Sequence, residues 1–188
     1  MLAAFALAML AYVQADDALT VTTNYLEALS RLDDTAMAEL FDWTPAERDR
    51  ARAFRAFERA THTRWTWKIV GLEGNSVYAF ETEDNDYYDL LGVGTSTRIA
   101  AYRVEGGRIR AAETRFHINA SGNQAEVATR FREWLVGQPG GNDPAVVQGG
   151  RLLFDETSAR HMLPWLERWK AERAPLDTEA APGGCAPP

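Results

Sequence analysis

Apolar residues recur at helical spacing in the first part of the chain. Residues 17–32 are predicted to form an amphipathic helix, because positions three and four apart lie on one helical face. Its apolar stripe consists of Val21, Tyr25, Ala28, Leu29 and Leu32. Asp33 and Asp34 are typical N-cap residues, so a second, short helix is predicted to begin there.

A third helix is predicted from Pro45 to about Ala60. Thr44 is a predicted N-cap, and Glu47 completes a capping box. Four arginines at helical spacing give this helix a basic stripe: Arg48, Arg52, Arg55 and Arg59. We interpret the stripe as a solvated helix face, and a surface for an anionic ligand, a lipid headgroup or an acidic partner is the alternative.

Alternation of apolar and polar residues replaces the helical pattern after His62. Trp65, Trp67 and Ile69 alternate with less apolar neighbours, which predicts a strand. Three further segments read as strands or pairs of strands: Val77–Glu83, Leu90–Val104 and Arg108–Ile118. Gly106 and Gly107 predict a tight hairpin turn between the last two segments.

Carboxylates are concentrated around the polar stretch at residues 84–89. They are Glu81, Glu83, Asp84, Asp86 and Asp89. Such a run can bind Ca²⁺, but the glycine and the distal Glu of an EF-hand loop are missing. We therefore interpret the run as a solvated hairpin end.

The helical pattern returns after Ser121. One helix is predicted around Phe131, and a last helix at Ser158–Arg173 either bends at Pro164 or begins near it. Helices, then hairpin strands, then helices predict an α+β fold. We expect one domain at residues 16–173, with a C-terminal helical extension from about 121, and a disordered tail at 174–188 rich in Pro and Gly.

Composition narrows the classes of function. The chain has 188 residues and a formal net charge of −7, which disfavours nucleic acid as a partner. Its single cysteine forms no internal disulfide, and its three histidines match no zinc motif, so no metal is predicted. No motif calls for a cofactor.

The N-terminus has the pattern of a signal peptide. Residues 2–13 are apolar, and Ala15 ends a small-x-small cleavage site. We expect residues 1–15 to be removed and the mature protein to be secreted or periplasmic. The apolar run is too short for a stable membrane span. A buried N-terminal helix is the alternative.

Two short motifs resemble the nuclear transport factor 2-like superfamily. The first is Asn24–Leu29, followed by an acidic turn and Ala38–Phe41. The second is the hairpin around Tyr102, Gly107 and Ile109. The resemblance covers residues 17–118.

The resemblance implies a strongly curved antiparallel sheet that wraps the N-terminal helices as a cone, often around a pocket. Relatives include ketosteroid isomerases, polyketide cyclases, dehydratases and non-catalytic binding domains, so the fold does not choose a function. Tyr25 matches the family's first-helix tyrosine. The carboxylate base and the second acid of the isomerases have no counterpart, because residues 99–102 read Ile-Ala-Ala-Tyr.

Two sets of residues are candidates for a site. Glu113, Arg115 and His117 alternate on the last strand, so they are expected to share one face, as a polar group at the cone mouth or as a solvated ion pair. The expected pocket lining is Tyr25, Trp65, Trp67, Tyr102 and Arg115. The alternative, which we favour, is that Tyr25 is a packing residue and that the aromatic side chains of the sheet fill the core.

The leading hypothesis is an exported domain that binds a small apolar or amphipathic molecule or associates with proteins, including a second copy of itself. It has no complete catalytic set. The alternative is a dehydratase- or cyclase-type enzyme that uses His117 and Glu113. In a third possibility the chain is a purely structural interaction domain whose C-terminal helices cover the sheet, so that no cavity is left. Three tryptophans would then plug the mouth of the cone: Trp134, Trp165 and Trp169.

Overall fold

The computed structural model describes the backbone of residues 17–119 and 124–179 and the side chains of residues 17–117 and 124–173. The predicted signal peptide lies outside the described residues. The helices are α1 (residues 17–30), α2 (Asp34–Leu40), α3 (Pro45–Ala60), α4 (Asp86–Leu91), α5 (Gln124–Val136) and α6 (Glu156–Glu179). The strands are β1 (Arg64–Glu73), β2 (Ser76–Asp84), β3 (Ser96–Glu105), β4 (Arg108–Asn119), β5 (Val147–Gln148) and β6 (Arg151–Leu152).

The four long strands form one antiparallel sheet in the order β1-β2-β3-β4, and β5 and β6 form a separate short hairpin. Glu105 pairs with Arg108 across the predicted two-residue turn. Gly106 and Gly107 adopt positive φ angles of 60° and 73° there, which a residue with a side chain adopts only at a cost. The α+β class is confirmed.

Capping residues set the starts of the second and third helices as predicted. Asp33 accepts a hydrogen bond from the amide of Ala36 at the start of α2. Thr44 and Glu47 form the reciprocal capping box of α3. These bonds satisfy amide groups that have no partner inside a helix, and this is why such short signals locate helix ends.

Helix α4 occupies the segment that was predicted to be a polar loop, and this prediction was wrong. The Asn85 side chain accepts a hydrogen bond from the Tyr88 amide at 2.8 Å and so starts the helix. Gly92 ends it with a φ of 77°. Strand β3 consequently begins at Ser96 rather than at Leu90.

Helix α6 begins at Glu156, and Asp155 accepts a hydrogen bond from the Ser158 amide. The helix continues through Pro164, so the alternative start near Pro164 was wrong. It ends at Glu179, so its last turns lie inside the segment 174–188 that was predicted to be a disordered tail. The rest of that segment lies outside the described residues. In the described part of the chain, no helix combines the length and the apolar character that a membrane span needs.

Buried apolar side chains form two clusters. The first lies between α1, α2 and the inner face of the long sheet, and it includes Leu26, Met37 and Ile109. The second lies among α3, α4, α5, α6 and the β5–β6 hairpin, and it includes Phe131 and Met162. Helix α6 packs on both α3 and α4, so the C-terminal helices share a core with the N-terminal part of the chain.

Phe131 tests whether the C-terminal helices are integral to the domain. Its side chain is fully buried, so Phe131→Ala should lower the free energy of unfolding by about 3–5 kcal/mol in a single transition. Val136→Ala, at an exposed position of the same helix, should change it by less than about 0.5 kcal/mol. Urea denaturation measures both. A separate early transition in Phe131→Ala would show that α5 and α6 unfold independently.

Candidate functional site

Strand β2 carries two carboxylates on the face of the sheet that points into the protein. Val77 and Ala79 are fully buried on that face, and Glu81 and Glu83 continue the same alternation. Glu81 is 0% exposed and Glu83 is 5% exposed. Charged side chains are seldom buried so completely without partners. The groups around these two glutamates therefore define the site.

Glu81 has a charged partner. Arg98, opposite it on β3, donates from Nε to Glu81 Oε2 at 2.8 Å. The Tyr102 hydroxyl donates to the other carboxylate oxygen. The Arg98 guanidinium also lies over the Trp65 ring, 4.8 Å from its centroid. Ion pairing, hydrogen bonding and a cation–π contact thus hold this pair in place.

Glu58 on α3 adds a third buried carboxylate. Arg55 Nη1 lies 2.5 Å from Glu58 Oε2, and the Trp65 indole donates to Glu58 Oε1 at 3.3 Å. Burial raises the pKa of Glu58 to about 8, although Arg55 opposes the shift. We call Glu58, Glu81, Glu83, Arg55 and Arg98 the buried carboxylate cluster. It contains one more acid than guanidinium groups.

Glu83 has neutral hydrogen-bond donors only. Asn85 Nδ2 donates to its Oε1 at 2.9 Å, and the Tyr88 hydroxyl donates to its Oε2 at 3.4 Å. No ion pair to Glu83 is formed by the side chains that the structure describes. Burial raises the pKa of Glu83, and the more distant charges of Arg98 and Arg55 oppose the rise.

A cavity of about 440 Å³ lies beside Glu83. Helices α3, α4 and α5, the ends of β2 and β4, and the segment before α6 contribute to its wall. The lining residues are mainly aromatic or apolar, with four polar side chains among them. The apolar ones are Phe54, Phe57, Tyr87, Tyr88, Leu91, Ala125, Ala128 and Phe154, and the polar ones are Glu83, Asn85, His117 and Gln124.

His117 faces this cavity, whereas Glu113 does not. Glu113 lies opposite Ala101 and His117 lies opposite Arg98, with a β-bulge at Arg115 between them. The extra residue reverses the alternation, so His117 shares the inner face with Arg98 while Glu113 points outward. The expectation that the two share one face was wrong. Glu113 instead pairs with Arg115 at 3.2 Å on an exposed surface.

The other expected pocket residues do not line this cavity. Tyr25 and Tyr102 are buried together in the first core cluster, with ring centroids 5.5 Å apart. Trp65 is buried there too, and Trp67 donates from its indole to Ser30 at 3.0 Å. Trp65 and Tyr102 nevertheless contact the buried carboxylate cluster directly.

The three C-terminal tryptophans pack against one another and do not line the cavity. The rings of Trp134 and Trp169 have centroids 5.5 Å apart, and those of Trp134 and Trp165 are 6.2 Å apart. Arg168 lies over Trp134 and Trp165. The residues that do close the cavity from the C-terminal side include Ala128 of α5 and Phe154.

The acidic run at residues 81–89 divides into two groups. Its first two members are the buried Glu81 and Glu83. The other three have separate partners, because Asp84 forms an ion pair with Arg64, Asp89 forms one with Lys170, and Asp86 is hydrogen-bonded to His62. Among the described residues, no three acidic, His or Cys side chains are grouped as metal ligands.

Sequence reasoning did not identify Glu58, Glu81 or Glu83 as site residues. A signal was present, because Val77 and Ala79 begin a period-two pattern that places Glu81 and Glu83 on the same face. Arg55 was assigned to a solvated basic stripe, but its side chain is only 13% exposed. The pairing of Arg55 with Glu58 across one helical turn is the matching signal on α3.

Comparisons of the chain with protein-family models, with curated proteins and with solved structures find no match. The similarity of residues 17–118 to the nuclear transport factor 2-like superfamily therefore stays a prediction from sequence. Because one fold supports many functions, a function for this chain has to be argued from the chemistry of the cavity.

The raised pKa of Glu58 predicts how stability depends on pH. Between its usual value of 4.5 and about 8, folded Glu58 keeps a proton that the unfolded chain has released. Its contribution to stability is complete below about pH 4.5 and is lost as pH rises through about 8. We expect the free energy of unfolding to fall by on the order of 1 kcal/mol per pH unit over that window.

Glu58→Gln should make the decline of the unfolding free energy with rising pH shallower. The smaller decline that remains is the part due to Glu83. Glu39→Gln, at an exposed position of α2, is the matched control and should keep the full decline. Urea denaturation at several pH values between 5 and 8 gives the slope. A wild-type protein whose stability rises over this range would contradict the assignment.

Proposed function

We propose that this protein is an exported, small-molecule-binding domain of the nuclear transport factor 2-like type, without a complete catalytic set. In this proposal the long sheet curves around α1 and α2 as a cone, and the cavity beside Glu83 is the binding site. The observation that carries the proposal is a cavity of about 440 Å³ with an aromatic wall and one buried carboxylate. Ligand pockets typically measure roughly 300–1,000 Å³.

The lining favours an amphipathic ligand. The rings of Phe57, Tyr87 and Phe154 provide apolar area, and Glu83, Asn85 and His117 provide polar groups at separate points of the wall. Gln124 Nε2 is a buried donor without a hydrogen-bond partner among the described residues. A buried donor of this kind is costly unless water or a ligand accepts its hydrogen bond.

A second copy of the chain is the protein partner that we propose. Phe80, Ile99 and Phe116 lie side by side across three strands on the outer face of the sheet. Phe116 is 66% exposed, which is unusual for so large an apolar residue. This face lies opposite to the cavity, so self-association there would leave the binding site open.

A dehydratase- or cyclase-type enzyme is the second candidate. One observation favours it, because His117 and Glu83 line the same cavity and both can transfer protons. Glu83 then takes the role that the sequence suggested for Glu113. This candidate differs from a binding protein in one measurable property, which is conversion of the bound compound into a product.

Native mass spectrometry of the protein expressed from Asp16 tests the binding proposal. We expect a retained small molecule, and we expect Ala128→Phe to abolish its retention because the added ring would occupy the cavity. Ala171→Phe, at an exposed position of α6, is the control and should retain the molecule. The same spectrum counts the subunits. Equal retention by Ala128→Phe would place the molecule elsewhere.

The same sample separates binding from catalysis. Incubation of the recovered compound with catalytic amounts of protein should leave its mass unchanged if the protein only binds it. Formation of a product that both His117→Ala and Glu83→Gln abolish would favour the enzyme instead.

Export is tested by N-terminal sequencing. The apolar segment at residues 2–13 and the small residues around Ala15 support cleavage of a signal peptide. Full-length protein produced in a bacterial host should appear outside the cytoplasm with a new N-terminus near Asp16. Exported protein that still begins at Met1 would contradict cleavage, and protein retained in the cytoplasm would contradict export.

A further inference from the structure

Glu83 is the member of the buried carboxylate cluster that lacks a cation. Glu81 is paired with Arg98, and Glu58 is in contact with Arg55. The charged and titratable groups around Glu83 are Arg55 and Glu58 on α3, Glu81 on β2, Tyr88 on α4, Arg98 on β3 and His117 on β4. The two guanidinium groups lie against Glu58 and Glu81, so among the described residues neither forms an ion pair with Glu83.

The acid without an ion pair is also the one that reaches the cavity. Glu83 is the sole carboxylate among the described residues that line it. Its side chain is 95% buried by protein, and Asn85 and Tyr88 hold its two oxygens in a fixed position. A buried carboxylate gains most from a cation that can enter the same water-poor space.

The rest of the lining favours an organic cation over a metal ion or an anion. Phe57, Tyr87 and Phe154 form mutual edge-to-face contacts with centroids 5.0–5.8 Å apart, and an ammonium group is attracted to such rings. A divalent metal needs several oxygen ligands, and one carboxylate does not supply them. Among the described residues that line the cavity there is no Lys or Arg, so none of them carries a permanent positive charge that would hold an anion.

We propose that the cavity binds an organic amine, with an apolar body against the aromatic wall and its ammonium group paired with the Glu83 carboxylate. This inference rests on the proposed binding function and specifies its ligand class. When the cationic amine binds a protonated Glu83, the carboxyl proton passes to solvent, and the buried pair is then neutral overall. His117 and Gln124 remain available to a second polar group of the ligand.

Three probes with the same body and different head groups test the proposal by calorimetric titration. Phenethylamine should bind at least about tenfold more tightly than 2-phenylethanol. This ratio corresponds to the free energy that one charge-assisted hydrogen bond contributes to binding. Phenylacetate should bind most weakly of the three. This comparison uses the unmodified protein, so it does not depend on whether any variant folds.

Glu83→Gln should remove the preference, because the amide keeps the shape and the hydrogen bonds but not the charge. Glu113→Gln is the matched control on the outer face and should keep the preference. Tighter binding of the alcohol than of the amine would overturn the amine assignment and leave the binding function standing. Binding of none of the three probes would overturn the amine assignment, whereas the binding function stands or falls with retention of a molecule in native mass spectrometry.

Discussion

The burial of Glu81 and Glu83 on the inner face of strand β2 is the constraint on which the arrangement of this site depends. A carboxylate that leaves water loses a large hydration energy, and partners have to replace it. Arg98 and Tyr102 replace it for Glu81, while Asn85 and Tyr88 supply hydrogen bonds alone to Glu83. Partners from the neighbouring strand β3 and from the start of α4 thereby converge on one strand.

The cluster also explains why the cavity lies where it does. Trp65 belongs to the core under α1 and α2, whereas Phe57 and Tyr87 belong to the core among the other helices. Glu58 and Glu83 lie between these two apolar clusters, where polar groups prevent the cores from merging. The space left beside Glu83 has an aromatic wall and one carboxylate, and this combination is the basis on which we propose a cationic, amphipathic ligand.

The sequence predicted those parts of the fold that have local causes. Thr44 with Glu47, Asp33, and the paired glycines at 106 and 107 each produce their structure through adjacent residues, and each was located correctly. Helix α4 was missed because its start depends on one Asn85 side chain inside an acidic stretch. Glu113 was placed on the wrong face because a single bulge at Arg115 decides which residues of β4 face inward, and pattern alone does not reveal a bulge. The buried glutamates did follow a period-two pattern that places them on the inner face, but their charge suggested that they would be exposed to solvent.

The protonation of the cluster's carboxyl groups can be observed directly by carbon-13 NMR of glutamate labelled at Cδ, with assignments from single Glu→Gln variants. The account predicts one titration near pH 8 that disappears in Glu58→Gln, and a Glu83 titration above the usual range of a carboxyl group that moves down when phenethylamine is added. If Glu58 and Glu83 both ionise in the ordinary range near pH 4.5, and the amine changes neither, the account of Glu83 as a buried acid that lacks an ion pair and binds an amine is contradicted.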